Sequence, residues 1–210
     1  MFKLHTLALS CAAFALSACG GGGSGDTLYV SVSYAQPDAS LFVVSTIQPT
    51  LSGFDGHDQR CDQESGLTPP GMHINNDCTI SGRPTQTGTF TFGYKVRADG
   101  ADGHFDNTAT VNVTGPTLAY AAVSKPPGTA ISVAPTITGW VAPTDGTVLT
   151  WSYQLTDGAL PPGVTLDATT GVVSGTPPVA GLYSATIRAT VSTVYGSYTL
   201  PASTLQVTSF

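Results

Sequence analysis

Strict alternation of apolar and polar positions recurs along the chain. Phe90, Phe92, Tyr94, Val96 and Ala98 alternate with Thr91, Lys95 and Arg97. Tyr183, Ala185, Ile187, Ala189 and Val191 alternate with Ser184, Thr186, Arg188 and Thr190. A period of two with one polar face predicts a half-buried antiparallel strand, its apolar set turned inward. Leu28, Val30, Val32 and Tyr34 follow the same rule, as do Leu149, Trp151, Tyr153 and Leu155. Turn signals separate the runs. Pro161-Pro162-Gly163 places Pro and Gly where a type II turn wants them, with Gly at positive φ. Asp167-Ala168-Thr169-Thr170-Gly171 predicts an Asx loop closed by Gly.

The pattern occurs twice. Gly66-Leu67-Thr68-Pro69-Pro70-Gly71, Ile80-Ser81-Gly82-Arg83-Pro84 and Gly88-Thr89-Phe90 form one set. Gly158-Ala159-Leu160-Pro161-Pro162-Gly163, Val173-Ser174-Gly175-Thr176-Pro177 and Gly181-Leu182-Tyr183 form the other. Upstream, the segment ending Gly53-Phe54 parallels the one ending Gly139-Trp140. A spacing of about 90 residues is that of a complete small β-sandwich rather than a solenoid repeat. The joint falls at Gly115-Pro116, where a strand must end. The repeated Ser81-Gly82 and Ser174-Gly175 pairs read as a repeated turn rather than a nucleophile elbow.

The run Leu-Pro-Pro-Gly, Asp-x-x-Thr-Gly, Ser-Gly-Thr-Pro, Ala-Gly over residues 160–181 resembles the bacterial Ig-like domains of the cadherin-like and dystroglycan-like kind (He-PIG type). The first copy departs from it, with a loop one residue shorter, Asn75-Asn76-Asp77-Cys78, in place of the Asp-x-x-Thr-Gly loop. The resemblance implies an all-β chain of two tandem Ig-like/cadherin-like β-sandwiches, over residues 27–115 and 116–210.

Residues 1–26 read differently. A basic start, an apolar run over residues 4–16 and small residues before Cys19 describe a secretory signal peptide. Leu16-Ser17-Ala18-Cys19-Gly20 resembles a lipoprotein box, which implies cleavage after residue 18 and a lipid on Cys19. Residues 19–26 then form the anchor and a Gly-rich tether. Gly rather than Asp after Cys19 implies the outer membrane of the cell envelope. Cys11 leaves with the leader, so Cys61 and Cys78 remain, an even pair in an oxidising compartment. They are expected to form a disulfide, the competing reading being two buried thiols. Tyr153 and Thr170 stand at the matching sites of the second copy.

Composition narrows the function classes. Of 210 residues, 31 are Thr, 24 Gly, 19 Ser and 15 Pro, while 13 acids face 7 bases. The few scattered Lys and Arg make no footprint for nucleic acid. Residues 26–115 hold 10 of the acids and 4 of the bases, so the second copy is nearly uncharged. The sequence contains no phosphate loop, HExxH or CxxC. His57, His73 and His104 show no zinc-ligand spacing, and His73, matching Thr165, is expected to point to solvent. Asp99, Asp102 and Asp106, on a Gly-rich loop, offer oxygens suited to calcium. The same loop lacks EF-hand spacing, and the joint lacks an acidic cluster, so a solvated polar loop is the competing reading. Trp140, matching Phe54, and Trp151 read as core residues. Tyr195 and Tyr198, flanking a hairpin tip where the copies diverge, are expected to be more exposed and to serve partner contact.

Together these readings describe a non-enzymatic, lipid-anchored envelope protein without a cofactor. Its expected roles are adhesion or contact with an envelope protein or glycan. The alternative is a calcium-binding, cadherin-like structural module.

Overall fold

A computed structural model describes residues 30–35, 37–54, 58–98 and 104–210. Every regular element among them is a strand. The chain divides into two compact units.

The first unit begins with β1 (Ser31–Ser33), β2 (Asp38–Ser40), β3 (Ser45–Ile47) and β4 (Thr50–Ser52). It continues through β5 (Gln59–Gly66), β6 (Met72–Ile74), β7 (Ile80–Gly82), β8 (Gly88–Ala98) and β9 (Phe105–Thr114). Strand order is β2-β9-β8-β5 in one sheet and β3-β7-β6 in another, with β1 paired to β4. Phe92, Tyr94, Val96 and Ala98 of β8 are buried, as are Val111 of β9, Ile80 of β7 and Met72 of β6. The alternation along β8 is therefore as expected: its apolar set forms the core and its polar set faces water.

The second unit runs β10 (Thr117–Ala119), β11 (Val123–Lys125), β12 (Ile131–Val133), β13 (Thr136–Thr138) and β14 (Thr150–Gly158). After these come β15 (Val164–Leu166), β16 (Val173–Gly175), β17 (Gly181–Thr193), β18 (Gly196–Thr199) and β19 (Ser203–Ser209). Its sheets are β11-β19-β17-β14, with β18 also on β17, then β12-β16-β15 and the pair β10-β13. This repeats the first unit strand for strand, with β18 and β19 together standing where β9 stands. Even the bulges coincide: the β5–β8 ladder slips between Gln63 and Ser65, and the β14–β17 ladder between Leu155 and Asp157. Leu155, the last residue before the second slip, is 37% exposed rather than buried, although it pairs with the buried Ile187.

Two local expectations need correction. Ser81-Gly82 and Ser174-Gly175 are not turns but the ends of β7 and β16. A Cβ on Gly82 would lie 2.2 Å from the Gly71 carbonyl oxygen, and one on Gly175 2.1 Å from that of Gly163. The glycines are there because strand and turn backbones touch. The Pro-Pro-Gly turns form as expected: Val164 N–H donates to Pro161 O at 3.1 Å and Met72 N–H to Pro69 O at 2.8 Å.

The second unit also holds residues that the repeat assigns to the first copy. It comprises Ser40–Val43 together with Thr114–Phe210. Leu41 and Phe42 are fully buried. Leu41 N–H donates to Thr114 O at 2.8 Å, and Trp140 Nε1–H donates to Leu41 O at 2.8 Å. Phe42 holds φ at +62°, a conformation a bulky side chain takes only under constraint.

Candidate functional site

Cys61 and Cys78 are bonded, with Cα atoms 5.0 Å apart. The bridge ties edge strand β5 to the turn between β6 and β7. Cys61 occupies the place of Tyr153, as expected: Cys61 N–H donates to Asn76 O at 2.9 Å, and Tyr153 N–H to Ala168 O at 2.8 Å. Cys78, however, matches Gly171 rather than Thr170. Tyr34 Oη–H donates to Cys78 O at 2.7 Å, and Tyr120 Oη–H to Gly171 O at 2.6 Å. Cys78 and Gly171 also share positive φ, +66° and +72°. The shorter first loop loses its missing residue before this position, which shifts the match by one.

Burial explains the tyrosines' electrostatics. It pushes the Tyr34 phenol well above its ordinary range and the Tyr94 and Tyr120 phenols up to about 12. The two loop aspartates move the other way. Thr79 donates both its hydroxyl and its N–H to Asp77 Oδ1, at 2.7 and 2.9 Å. The N–H groups of Thr170 and Thr169 donate to Asp167 Oδ1, each at 2.8 Å. These bonds favour the charged carboxylates and lower both pKa values.

The outward side chains of β5, β8 and β9 make a charged surface on the first unit. Asp62 lies 3.4 Å from Arg60 and 3.9 Å from Arg97. Glu64 pairs with Lys95, and His104 lies 3.7 Å from Asp106. Beside the bulge a groove of about 440 Å³ is lined by Glu64, Ser65, Gly93, Asp106, Asn107 and Thr108. Among the calcium candidates, Asp99 and Asp102 lie outside the described residues, and the Asp106 side chain is 76% exposed. Among the described residues no group of three or more His, Cys, Asp or Glu could hold a metal ion. His73 is exposed, pairing across the ladder with Ser81 as Thr165 does with Ser174. Cys19 and the tether lie outside the described residues.

On the second unit the matching strands carry hydroxyls. Thr190 and Thr199 join side chain to side chain at 3.1 Å. The first unit does the same at Thr91–Thr110 and Thr89–Asn112, both at 2.9 Å. At the β17–β18 tip Tyr195 is 48% exposed, whereas Tyr198 is half-buried like Trp140 and Trp151. The expectation of two tyrosines more exposed than both tryptophans therefore holds only for Tyr195. Register explains this: Tyr198 pairs with the inward Val191. The tryptophans pack edge to face at 6.2 Å, and Trp151 stacks over Tyr153 at 6.3 Å. The reading of both tryptophans as core residues needs correction: Trp140 and Trp151 are each half-buried, whereas Phe54, at the place of Trp140, is buried.

Residues 115–208 match a family model, He_PIG, described as "Putative Ig domain". No curated protein matches the chain. Among solved structures the chain is similar to Drosophila N-cadherin EC1-4, at 9% identity and a TM-score of 0.35, over 82% of this chain and 47% of that one. It thus spans about half of that cadherin fragment. It is also similar to human protocadherin-24 EC1-2, at 10% identity and a TM-score of 0.33, over 86% of this chain and 97% of that one. An endo-fucoidan hydrolase of glycoside hydrolase family 107 is similar at 19% identity and a TM-score of 0.30, over 97% of this chain and 34% of that one.

Proposed function

We propose that this protein is a lipid-anchored, non-catalytic module of the cell envelope. Its two Ig-like units present contact surfaces for adhesion or for assembly with an envelope protein or glycan. One observation carries the reading: a single strand order is built twice, yet the outward faces differ in chemistry. The first unit presents Arg60, Asp62, Glu64, Lys95, Arg97 and Asp106. The second presents Ser152, Gln154, Ser184, Thr186 and Thr190 on the matching strands, with Arg188, at the place of Lys95, as the charged side chain among them. Changing surfaces on a constant frame suits recognition, because a sandwich core constrains the inward positions and leaves the outward ones free to vary. The residues at 16–20 and the Gly run after them support anchoring through Cys19, with the tether letting the folded units clear the headgroups.

The test is capture of partners from detergent-solubilised envelope by the processed chain. Reversing the charges at Lys95 and Arg97, or changing the exposed Tyr195 to Ser, is expected to weaken capture while melting stays cooperative. Capture that survives both sets of changes refutes the contact reading of these faces. Melting in calcium and in chelator is expected to coincide; a clear rise with calcium would instead give residues 99–107 a cation role.

A further inference from the structure

The two units close the same gap by different means. In each, the edge strand of the larger sheet, β5 or β14, must be held against the hairpin loop of the facing sheet. In the second unit Tyr153 lies over Gly171: a Cβ at 171 would sit 2.6 Å from Tyr153 Cε1, so the ring fits only because the residue is glycine. In the first unit Cys61 and Cys78 occupy those two places and are joined covalently. The backbone is unchanged, since residue 78 keeps the positive φ of Gly171 and its carbonyl still accepts a tyrosine hydroxyl. The closure in the second unit is apolar contact, which no reductant alters. The closure in the first is an S–S bond spanning 17 residues.

We propose that the first unit is redox-conditional: it holds its fold firmly only with Cys61 and Cys78 oxidised, whereas the second unit folds in either state. Reduction leaves the first unit with two small thiols where its sister has an aromatic ring. It also leaves a non-glycine residue in the left-handed region held by hydrogen bonds to Tyr34 and Asn75 without the covalent bond. The reductant is a dithiol. Its thiolate attacks one cystine sulfur, breaking the S–S bond and forming a mixed disulfide. Its second thiol then displaces the protein sulfur. Two electrons and two protons end on Cys61 and Cys78, and the dithiol becomes a disulfide. Cys61 and Cys78 are 1% and 0% exposed, so attack waits on opening of the 75–79 turn. The surface of Arg60, Asp62, Glu64, Lys95 and Arg97 is thus displayed stably only where the compartment is oxidising, which couples redox state to one of the two faces.

The test uses the full processed chain and dithiothreitol. Both tryptophans, Trp140 and Trp151, lie in the second unit, so their fluorescence follows that unit alone, while calorimetry follows both. After reduction, verified by two titratable thiols, the non-tryptophan transition is expected to fall by about 10–20 °C. The tryptophan transition should stay within about 3 °C. Two results overturn the proposal: a first-unit transition that ignores full reduction, or equal shifts in both. Transplanting the sister solution, Cys61→Tyr with Cys78→Gly, is expected to yield a first unit indifferent to dithiothreitol and more stable than the reduced parent. If that variant does not fold, the pair Cys61→Ala/Cys78→Gly and Cys61→Ala/Cys78→Ala decides. Glycine at 78 must melt higher, and equal melting refutes the equivalence of Cys78 with Gly171.

Discussion

Replacing Phe42 by Ala should destabilise the second unit, although residue 42 lies in the first repeat of the sequence. Phe42 is 0% exposed and is grouped with residues 114–210. Its ring lies against the β17–β18 tip: a Cβ built on Gly196 would be 3.9 Å from Phe42 Cε1. Removing a buried phenyl ring costs about 3–5 kcal/mol, counting both lost transfer energy and the cavity left behind. Alanine keeps the left-handed backbone at +62°, so no strain is released to offset the loss. For a unit of this size each kcal/mol moves the melting point by roughly 4–8 °C, so a drop of about 12 °C or more follows. Tryptophan fluorescence reads it, since Trp140 and Trp151 both belong to that unit. Hydrogen exchange should then show β17 losing protection while β8 keeps it. Phe42→Gly should fall slightly less, by about 1 kcal/mol, because glycine takes positive φ without strain. An unchanged tryptophan transition, or loss of protection confined to β8, would refute the assignment of Ser40–Val43 to the second unit.

Other outcomes follow from particular contacts. Gly175→Ala should cost about 2 kcal/mol or more in denaturant melts of the second unit, because the new Cβ meets the Gly163 carbonyl oxygen; an unchanged midpoint would contradict that approach. Asp77 and Asp167 have lowered pKa values in the fold, so the stability they add is present above the ordinary value of 3.8 and lost as pH falls below it. Asp77→Asn and Asp167→Asn should therefore flatten the acid limb of a stability–pH curve and leave its alkaline limb alone. Tyr94 and Tyr120 have raised values, so their contribution is intact below pH 10 and is lost as pH rises from 10 towards 12; ultraviolet titration should find both phenols ionising late. Cys19→Ala should release the protein from the membrane fraction or leave it unprocessed, and a lipid-bearing mass in that variant would exclude Cys19 as the attachment point.

Much of this molecule is decided locally and was legible in the chain. The alternation along β8 and β17 reports a two-residue period that any half-buried strand must show. The Pro-Pro-Gly turns and the Asp167 loop are read from residues whose backbone preferences act over three or four positions. The duplication needs only comparison of the chain with itself. The candidate surfaces were legible in part: charges gather in the first copy and hydroxyls in the second, but only strand register places Arg60, Asp62 and Arg97 together and turns Tyr198 inward beside Val191.

What the tertiary structure alone decided are matters of where distant backbones meet. The bulges at Glu64 and Thr156 leave no compositional mark, yet both ladders slip there. Cys78 matches Gly171 rather than Thr170 because the missing loop residue falls before the left-handed position, and φ is not written in a residue's name. Leu41 and Phe42 belong to the second unit, where the Leu41 N–H donates to Thr114 O and its carbonyl accepts from Trp140 across long sequence separations, and the Phe42 ring lies near Gly196. A hydrophobic run announces that it will be buried. Which core buries it depends on the path of the whole chain, so that choice appears only once the chain has folded.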